Sequence, residues 1–144
     1  MKRLHMHIGV NDLQKNIAFY AALFKSQPDI VKNDYAKWML DDPMVNFAIS
    51  TRSAGVGLDH VGIQTETEQE LSQLSQQLED AGIAGVAQQD AGCCYAQSDK
   101  YWVQDPQGIA WETFHSLGTI PVFSHNQPQA DNNSCCVPDM SCKV

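Results

Sequence analysis

Two histidines stand at equivalent places in two similar stretches of this sequence. His5 lies seven residues before Asp12, and His60 lies seven residues before Thr67. Asp12 and Thr67 are both residue types that commonly cap the first turn of a helix. Each histidine also lies in a run of alternating side chains typical of a half-buried β-strand. We therefore expect the two imidazoles on the inner face of a sheet, at related positions of two repeated units.

A carboxylate is expected to join them. On the final predicted strand Glu112 shares a face with Ala110 and Phe114, and an ionised side chain between apolar neighbours needs a partner. Two imidazoles and one carboxylate around one cavity form the 2-His-1-carboxylate set that binds Fe(II) and leaves coordination positions open. The alternative is a pair of hydrogen-bonded histidines and a solvated glutamate on an edge strand, and the pattern leaves both open.

His7 competes with His5 for the role of first metal ligand, because a period of two puts both on one face. The repeat favours His5, since the residue that matches His7 in the second unit is Gly62, which has no side chain to bind a metal. His115 falls on the face opposite Glu112, so we expect it to be a surface or structural histidine.

The cysteines are a third chemical signal. None occurs in the first 92 residues, and the five stand at Cys93, Cys94, Cys135, Cys136 and Cys142. An odd, clustered set favours soft-metal or metalloid binding over a disulfide framework. The pair Cys93-Cys94 follows Asp90-Ala91-Gly92, which predicts a turn in which adjacent thiolates can face one ion. The alternative is that both are small buried hydrophobic residues.

The elements that position these residues occur twice in the order β-α-β-β-β, over about residues 3–51 and 57–116. In each unit an alternating strand leads into a helix with apolar residues at steps of three and four. Short strands separated by turn residues follow, over 29–32, 35–40 and 44–51 in the first unit and near 84–88, 95–103 and 109–115 in the second. The predicted fold class is α+β, with two βαβββ modules forming one curved mixed sheet around the candidate metal site.

Composition and net charge limit the classes of protein to which this chain can belong. The chain has 144 residues, of which 43% are hydrophobic and 18% charged, enough for one domain, which we place at 1–118. The net charge of −8 argues against nucleic-acid binding, and no apolar run is long enough to span a membrane. No apolar signal region follows Met1, so a cytoplasmic location is expected. Residues 119–144 are polar and contain three prolines, which predicts a flexible, cysteine-containing tail.

The chain resembles the vicinal-oxygen-chelate superfamily of glyoxalases, bleomycin-resistance proteins and extradiol dioxygenases. The resemblance covers residues 3–116 and is carried by Leu4-His5-Met6-His7-Ile8-Gly9-Val10-Asn11-Asp12-Leu13, by Leu58-Asp59-His60-Val61-Gly62, and by Asp105-Pro106-Gln107-Gly108 with Trp111-Glu112. Around the cysteines, Gly92-Cys93-Cys94-Tyr95-Ala96-Gln97-Ser98-Asp99-Lys100-Tyr101-Trp102-Val103 is similar to organoarsenical C–As lyases and cadmium-induced proteins (the ArsI/CadI type).

That narrower resemblance implies a function and its residues. It maps the metal ligands to His5, His60 and Glu112 and the substrate thiols to Cys93 and Cys94. It implies an Fe(II)-dependent, dioxygenase-type lyase, with another divalent metal as the alternative, that uses O₂ to convert methylarsenite or related aromatic arsenicals to arsenite. The expected partners are small molecules, and the chain is expected to be a monomer or a homodimer. Cys135, Cys136 and Cys142 are expected to assist capture of the metalloid without contributing to the fold.

Two other functions stay open at this point. The cysteines could sequester cadmium or arsenite without turnover, in which case the histidines and Glu112 would have no role. A glyoxalase-type isomerase resembles a four-ligand site, with a second carboxylate from the last strand of the first unit. Residues 44–51 contain no Asp or Glu, which counts against the isomerase.

Overall fold

A computed structural model describes residues 1–121, 137 and 138. The first module consists of β1 (Arg3–Gly9), α1 (Leu13–Phe24), β2 (Ile30–Val31), β3 (Tyr35–Asp41) and β4 (Met44–Ser50). The second module consists of β5 (Gly57–Thr65), α2 (Glu68–Asp80), β6 (Val86–Cys93), β7 (Ala96–Gln104) and β8 (Ala110–Thr119). The predicted α+β class and the repeated βαβββ order are confirmed.

The strands of the described residues form one mixed sheet in the order β2-β3-β4-β1-β5-β8-β7-β6. At its centre β1 pairs antiparallel with β5, which joins the two modules. On either side the first strand of each module pairs in parallel with its last strand, β1 with β4 and β5 with β8. The four central strands are therefore related by the same repeat that relates His5 to His60.

The helices begin where their capping residues predict. Asp12 accepts a hydrogen bond from the backbone N–H of Lys15, and Thr67 accepts one from that of Glu70. These bonds satisfy donors that the first turn of a helix otherwise leaves without partners. Neither helix is long and apolar enough to cross a membrane, so the described residues contain no helical membrane span.

One face of β1 packs against the core of the first module, except at the start of the strand. Met6 and Ile8 pack against the core beneath α1, which includes Trp38, Phe47 and Ile49. Leu4 lies on the same face but is 43% exposed.

The prediction of a turn at residues 90–92 is wrong. These residues lie inside β6, where the register with β7 shifts between Gln88 and Ala91 and Asp90 has a φ of 53°. A β-bulge thus absorbs the left-handed residue without ending the strand. The true turn follows at Cys94 and Tyr95, between the last paired residues of β6 and β7. The predicted tail beyond residue 121 lies outside the described residues, except for positions 137 and 138.

Candidate metal centre and thiol pair

The central strands bring the three predicted ligands to one place. Across the β1–β5 pair His5 lies opposite Gly62, and across the β5–β8 pair Gly62 lies beside Glu112. A Cβ added at Gly62 would lie 2.0 Å from the backbone oxygen of Glu112, so only glycine permits this approach. Gly62 therefore lets β5 and β8 approach closely at the level of Glu112.

The donor atoms of these residues form a compact triangle. The two Nε2 atoms of His5 and His60 are 3.1 Å apart, and they lie 3.6 Å and 3.5 Å from Oε2 of Glu112. All three residues are at most 6% exposed. Two donors that each bind an ion at about 2.1 Å lie roughly 3.0 to 3.5 Å apart. The spacing therefore fits a shared divalent metal.

Hydrogen bonds fix which nitrogen of each histidine faces the triangle. Nδ1 of His5 donates to the backbone carbonyl of Asn46 over 3.0 Å, and Nδ1 of His60 donates to the carboxylate of Asp59 over 2.6 Å. With Nδ1 protonated, the neutral ring presents a lone pair at Nε2. Two lone pairs and a carboxylate oxygen then converge, an arrangement that requires a positive charge between them.

The electrostatics of the site agree with that requirement. Burial lowers the pKa of His5 to about 4, so its ring is neutral near pH 7. Burial also acts to lower the pKa of His60, but the Asp59 and Glu112 carboxylates raise it overall. The two carboxylates thus favour a positive charge at this site.

Lys100 holds the other oxygen of Glu112. Its Nζ donates to Oε1 over 2.5 Å, and both side chains are buried. Burial alone would raise the pKa of Glu112, but Lys100 and His60 hold it well below its usual value. Glu112 is therefore ionised at neutral pH and offers Oε2 to the triangle. Neither Lys100 nor Asp59 was assigned a role from the sequence.

Replacing Lys100 with Met is expected to destabilise the metal-free chain by about 3–5 kcal/mol, because Glu112 becomes a buried charge without its lysine. A bound divalent metal replaces the lost charge, so Co(II) should restore part of the stability. Urea unfolding in EDTA and in Co(II) measures both effects.

The control is Lys37→Met, since Lys37 lines the same cavity from β3 and is only half-buried. It should cost much less stability. Equal unfolding midpoints for the Lys100 variant and the wild-type chain in EDTA would contradict the assigned role of the ion pair.

The two adjacent cysteines lie at the tip of the β6–β7 hairpin. Cys93 pairs with Ala96, and Cys94 and Tyr95 form a two-residue turn with φ values of 54° and 59°. Positive φ at both positions defines a type I′ turn, which follows the twist of the strands but is uncommon without glycine or asparagine. The turn is held from the first module, where Asp34 accepts a hydrogen bond from the Tyr95 hydroxyl.

The sulfur atoms of Cys93 and Cys94 are 3.3 Å apart. This is well beyond the S–S bond length of about 2.05 Å, so the two sulfurs are not bonded to each other. Cys93 is disulfide-bonded in the structure, and a role for both thiols requires the reduced chain. Burial raises the pKa of the Cys94 thiol to about 12, so Cys94 is a thiol near pH 7 and must lose its proton to bind a metalloid.

The triangle and the thiol pair share one cavity. Its walls include His5, His60, Glu112, Cys93, Cys94 and Lys100, and its volume is about 40 Å³. A cavity of this size holds an ion and a few small ligand atoms. The structure therefore places the two histidines and Glu112 beside the adjacent cysteines in one cavity.

Comparison with known proteins identifies the class of protein that this fold and cavity define. Residues 2–113 match the model of the Glyoxalase/Bleomycin resistance protein/Dioxygenase superfamily, and the chain belongs to that superfamily. An extradiol ring-cleaving dioxygenase from B. fuscum has the same fold, with a TM-score of 0.60 and 16% identity over 82% of this chain and 33% of that chain.

Relatives of similar length show a more specific similarity. The trivalent organoarsenical cleaving enzyme of Bacillus sp. strain MD1 is 36% identical over 151 residues, which cover 98% of this chain and 94% of that protein. The cadmium-induced protein CadI of Mycobacterium bovis is 28% identical over 141 residues, which cover 94% of this chain and 93% of that protein. The resemblance inferred from the motifs is confirmed.

Proposed function

We propose that this protein is an Fe(II)-dependent, dioxygenase-type lyase that cleaves the carbon–arsenic bond of trivalent organoarsenicals and converts methylarsenite to arsenite. The observation that carries the proposal is the shared cavity, in which a 2-His-1-carboxylate triangle faces an adjacent pair of cysteines. The similarity to organoarsenical-cleaving enzymes over nearly the whole chain supports the same reaction.

His5, His60 and Glu112 would hold the metal. Asn46 and Asp59 fix the tautomers of the two histidines, and Lys100 leaves one oxygen of Glu112 for the metal. Bound Fe(II) would activate O₂ at its open positions, as in other 2-His-1-carboxylate oxygenases. The protein residues contribute by keeping three donors in place and by excluding water from the cavity.

Cys93 and Cys94 would hold the substrate through two arsenic–sulfur bonds. Their sulfur atoms are 3.3 Å apart, so in the reduced chain the two thiols are neighbours that can bond one arsenic centre. The hairpin would fix the distance of that centre from the metal.

The overall reaction balances without a further reductant. Methylarsenite, CH₃As(OH)₂, and O₂ contain the atoms of formaldehyde and arsenite, As(OH)₃. The methyl carbon is oxidised by four electrons, O₂ is reduced by four, and arsenic stays trivalent. We place the reaction in the cytoplasm, where thiols stay reduced.

Sequestration of cadmium or arsenite is the alternative, and the likeness to CadI favours it. Binding by thiols alone has no need of a buried carboxylate and two buried histidines in the same cavity. Burying such groups costs folding stability, and buried titratable groups of this kind cluster at functional sites. Their presence therefore favours turnover.

The proposal is tested by loading the reduced protein with Fe(II) under anaerobic conditions, adding methylarsenite and admitting air. Chromatography coupled to arsenic detection should show arsenite, with formaldehyde in equal amount. A matched sample kept anaerobic should retain methylarsenite. Retention of methylarsenite in both samples would favour sequestration.

The cysteines at positions 135, 136 and 142 are proposed to assist uptake. A chain ending at Pro121 keeps all of β8 and should retain a cooperative thermal transition and C–As cleavage. Uptake at low methylarsenite concentration should weaken, because three tethered thiols raise the local thiol concentration at the cavity. Unfolding of the shortened chain would contradict the structural part of this expectation, and unchanged uptake would contradict the functional part.

A further inference from the structure

His7 lies against the candidate metal centre but outside the ligand set proposed above. Its side chain is completely buried. Its ring centroid is 4.9 Å from that of His60, and His5, His7 and His60 each offer a ligand atom within 4.8 Å of the other two. A third imidazole is thus within reach of the same ion.

One nitrogen of His7 has no partner among the described residues. Nε2 contacts the hydroxyl of Ser50 over 2.9 Å, but the buried Nδ1 makes no hydrogen bond. Buried nitrogen atoms in proteins almost always have a partner, so this atom calls for a hydrogen-bonding group or a metal ion. An imidazole nitrogen in this position is available to bind a metal.

The repeat explains why a ligand is available at this position. His5 and His60 are equivalent residues of the two modules. His5 pairs with Gly62 and His60 pairs with His7, so His7 is the equivalent of Gly62. Glu112 pairs with Gly62, and Ala48 pairs with His7, so Ala48 is the counterpart of Glu112. The first module therefore has no donor on its last strand, where the second has Glu112. It has an imidazole on the neighbouring strand, where His7 pairs with Ala48.

We propose that His7 is a fourth protein ligand of the divalent metal, so that the centre is a three-histidine, one-carboxylate site. Four protein ligands would leave two positions of a six-coordinate ion for small molecules. The inference rests on the proposed binding of a metal by His5, His60 and Glu112, but not on the C–As lyase activity.

Metal binding by two variants tests this inference. Co(II) is titrated into the reduced wild-type protein, His7→Ala and His7→Phe, with affinity measured by competition with a chelator and coordination followed by the visible Co(II) spectrum. Loss of a group that only hydrogen-bonds to a metal ligand already weakens metal binding about 10- to 100-fold. Both variants should therefore lose at least about tenfold in Co(II) affinity. The control, His115→Ala, should match the wild-type protein, since His115 is only half-buried and bonds to the backbone of Thr65.

Added imidazole separates a ligand from a structural role. His7→Ala leaves a ring-sized space, so free imidazole should restore its Co(II) affinity and spectrum, whereas the phenyl ring of His7→Phe should block rescue. Wild-type affinity and spectrum in both variants, or loss of affinity without imidazole rescue, would overturn the inference.

A measurement on the wild-type protein covers the case in which the variants do not fold. The NMR spectrum of the Co(II) form should show three strongly shifted imidazole N–H signals, and only two would overturn the inference. Failure of the wild-type protein to bind Co(II) would instead reject the metal centre of the proposed function.

Discussion

Replacing His60 with Ala is expected to abolish the conversion of methylarsenite to arsenite and to reduce Fe(II) affinity by more than about 100-fold. Loss of a group that only hydrogen-bonds to a metal ligand can already weaken metal binding about 100-fold, and His60 is proposed to bind the metal itself. The fold should survive, because the sheet at this point depends on Val61 and on strand pairing rather than on the imidazole. Iron content after gel filtration, arsenic speciation and circular dichroism measure the three effects. Full iron occupancy in this variant would show that His60 is not a ligand.

Glu112→Gln should have the same effect on iron and on turnover, with an added loss of stability. The neutral amide leaves the Lys100 ammonium buried without its partner. The double variant Lys100→Met/Glu112→Gln removes both charges, so it should regain stability without regaining iron. Glu79→Gln, on the exposed side of α2, is the matched control and should change neither property.

Cys93→Ser and Cys94→Ser are each expected to abolish tight binding of methylarsenite while leaving Fe(II) binding nearly unchanged. A hydroxyl is too hard and too weakly acidic to replace a thiolate on trivalent arsenic. Titration of the reduced variants with methylarsenite, followed by measurement of bound arsenic and iron, tests this division of roles.

Ser98→Ala is the control, because Ser98 is a buried polar residue in the wall of the same cavity. It should bind both arsenic and iron as the wild-type protein does. Loss of iron in the two cysteine variants equal to the loss of arsenic would place the sulfurs around the iron and contradict the assignment.

The parts of the site that follow strand periodicity could be predicted from the sequence. His5 and His60 occupy matching positions of a repeated strand–helix pattern, and the structure brings both to the inner face beside Glu112. In β1 the buried residues His5, His7 and Gly9 alternate with less buried apolar residues, and this alternation made the inner face visible in the sequence. That these residues bind a metal stays a prediction.

The parts that depend on irregular backbone could not be predicted. The register between β1 and β5 passes from His7–His60 to Ile8–Leu58, so Asp59 is an extra residue in a bulge. Strict alternation would point Asp59 away from His60, whereas the bulge lets its carboxylate bond to the imidazole. Similarly, the left-handed turn at Cys94 and Tyr95 lacks glycine, so residue types did not reveal it.

Lys100 was missed for a different reason. It shares a strand face with Ser98 and Trp102, and all three are buried. A lysine among core positions signals a buried partner, but its partner is set by the pairing of β7 with β8, which places Trp102 opposite Glu112. Only the assembled sheet shows that the lysine reaches across this pair to the carboxylate.

The most direct test of the central claim is arsenic speciation in a single turnover of the one-to-one complex between reduced protein and methylarsenite. Two samples are compared after O₂ is admitted, one loaded with Fe(II) and one metal-free, with the arsenic held by Cys93 and Cys94 in both. The account predicts stoichiometric arsenite in the Fe(II)-loaded sample and intact methylarsenite in the metal-free sample. Intact methylarsenite in both samples would contradict the assignment of this protein as a C–As lyase.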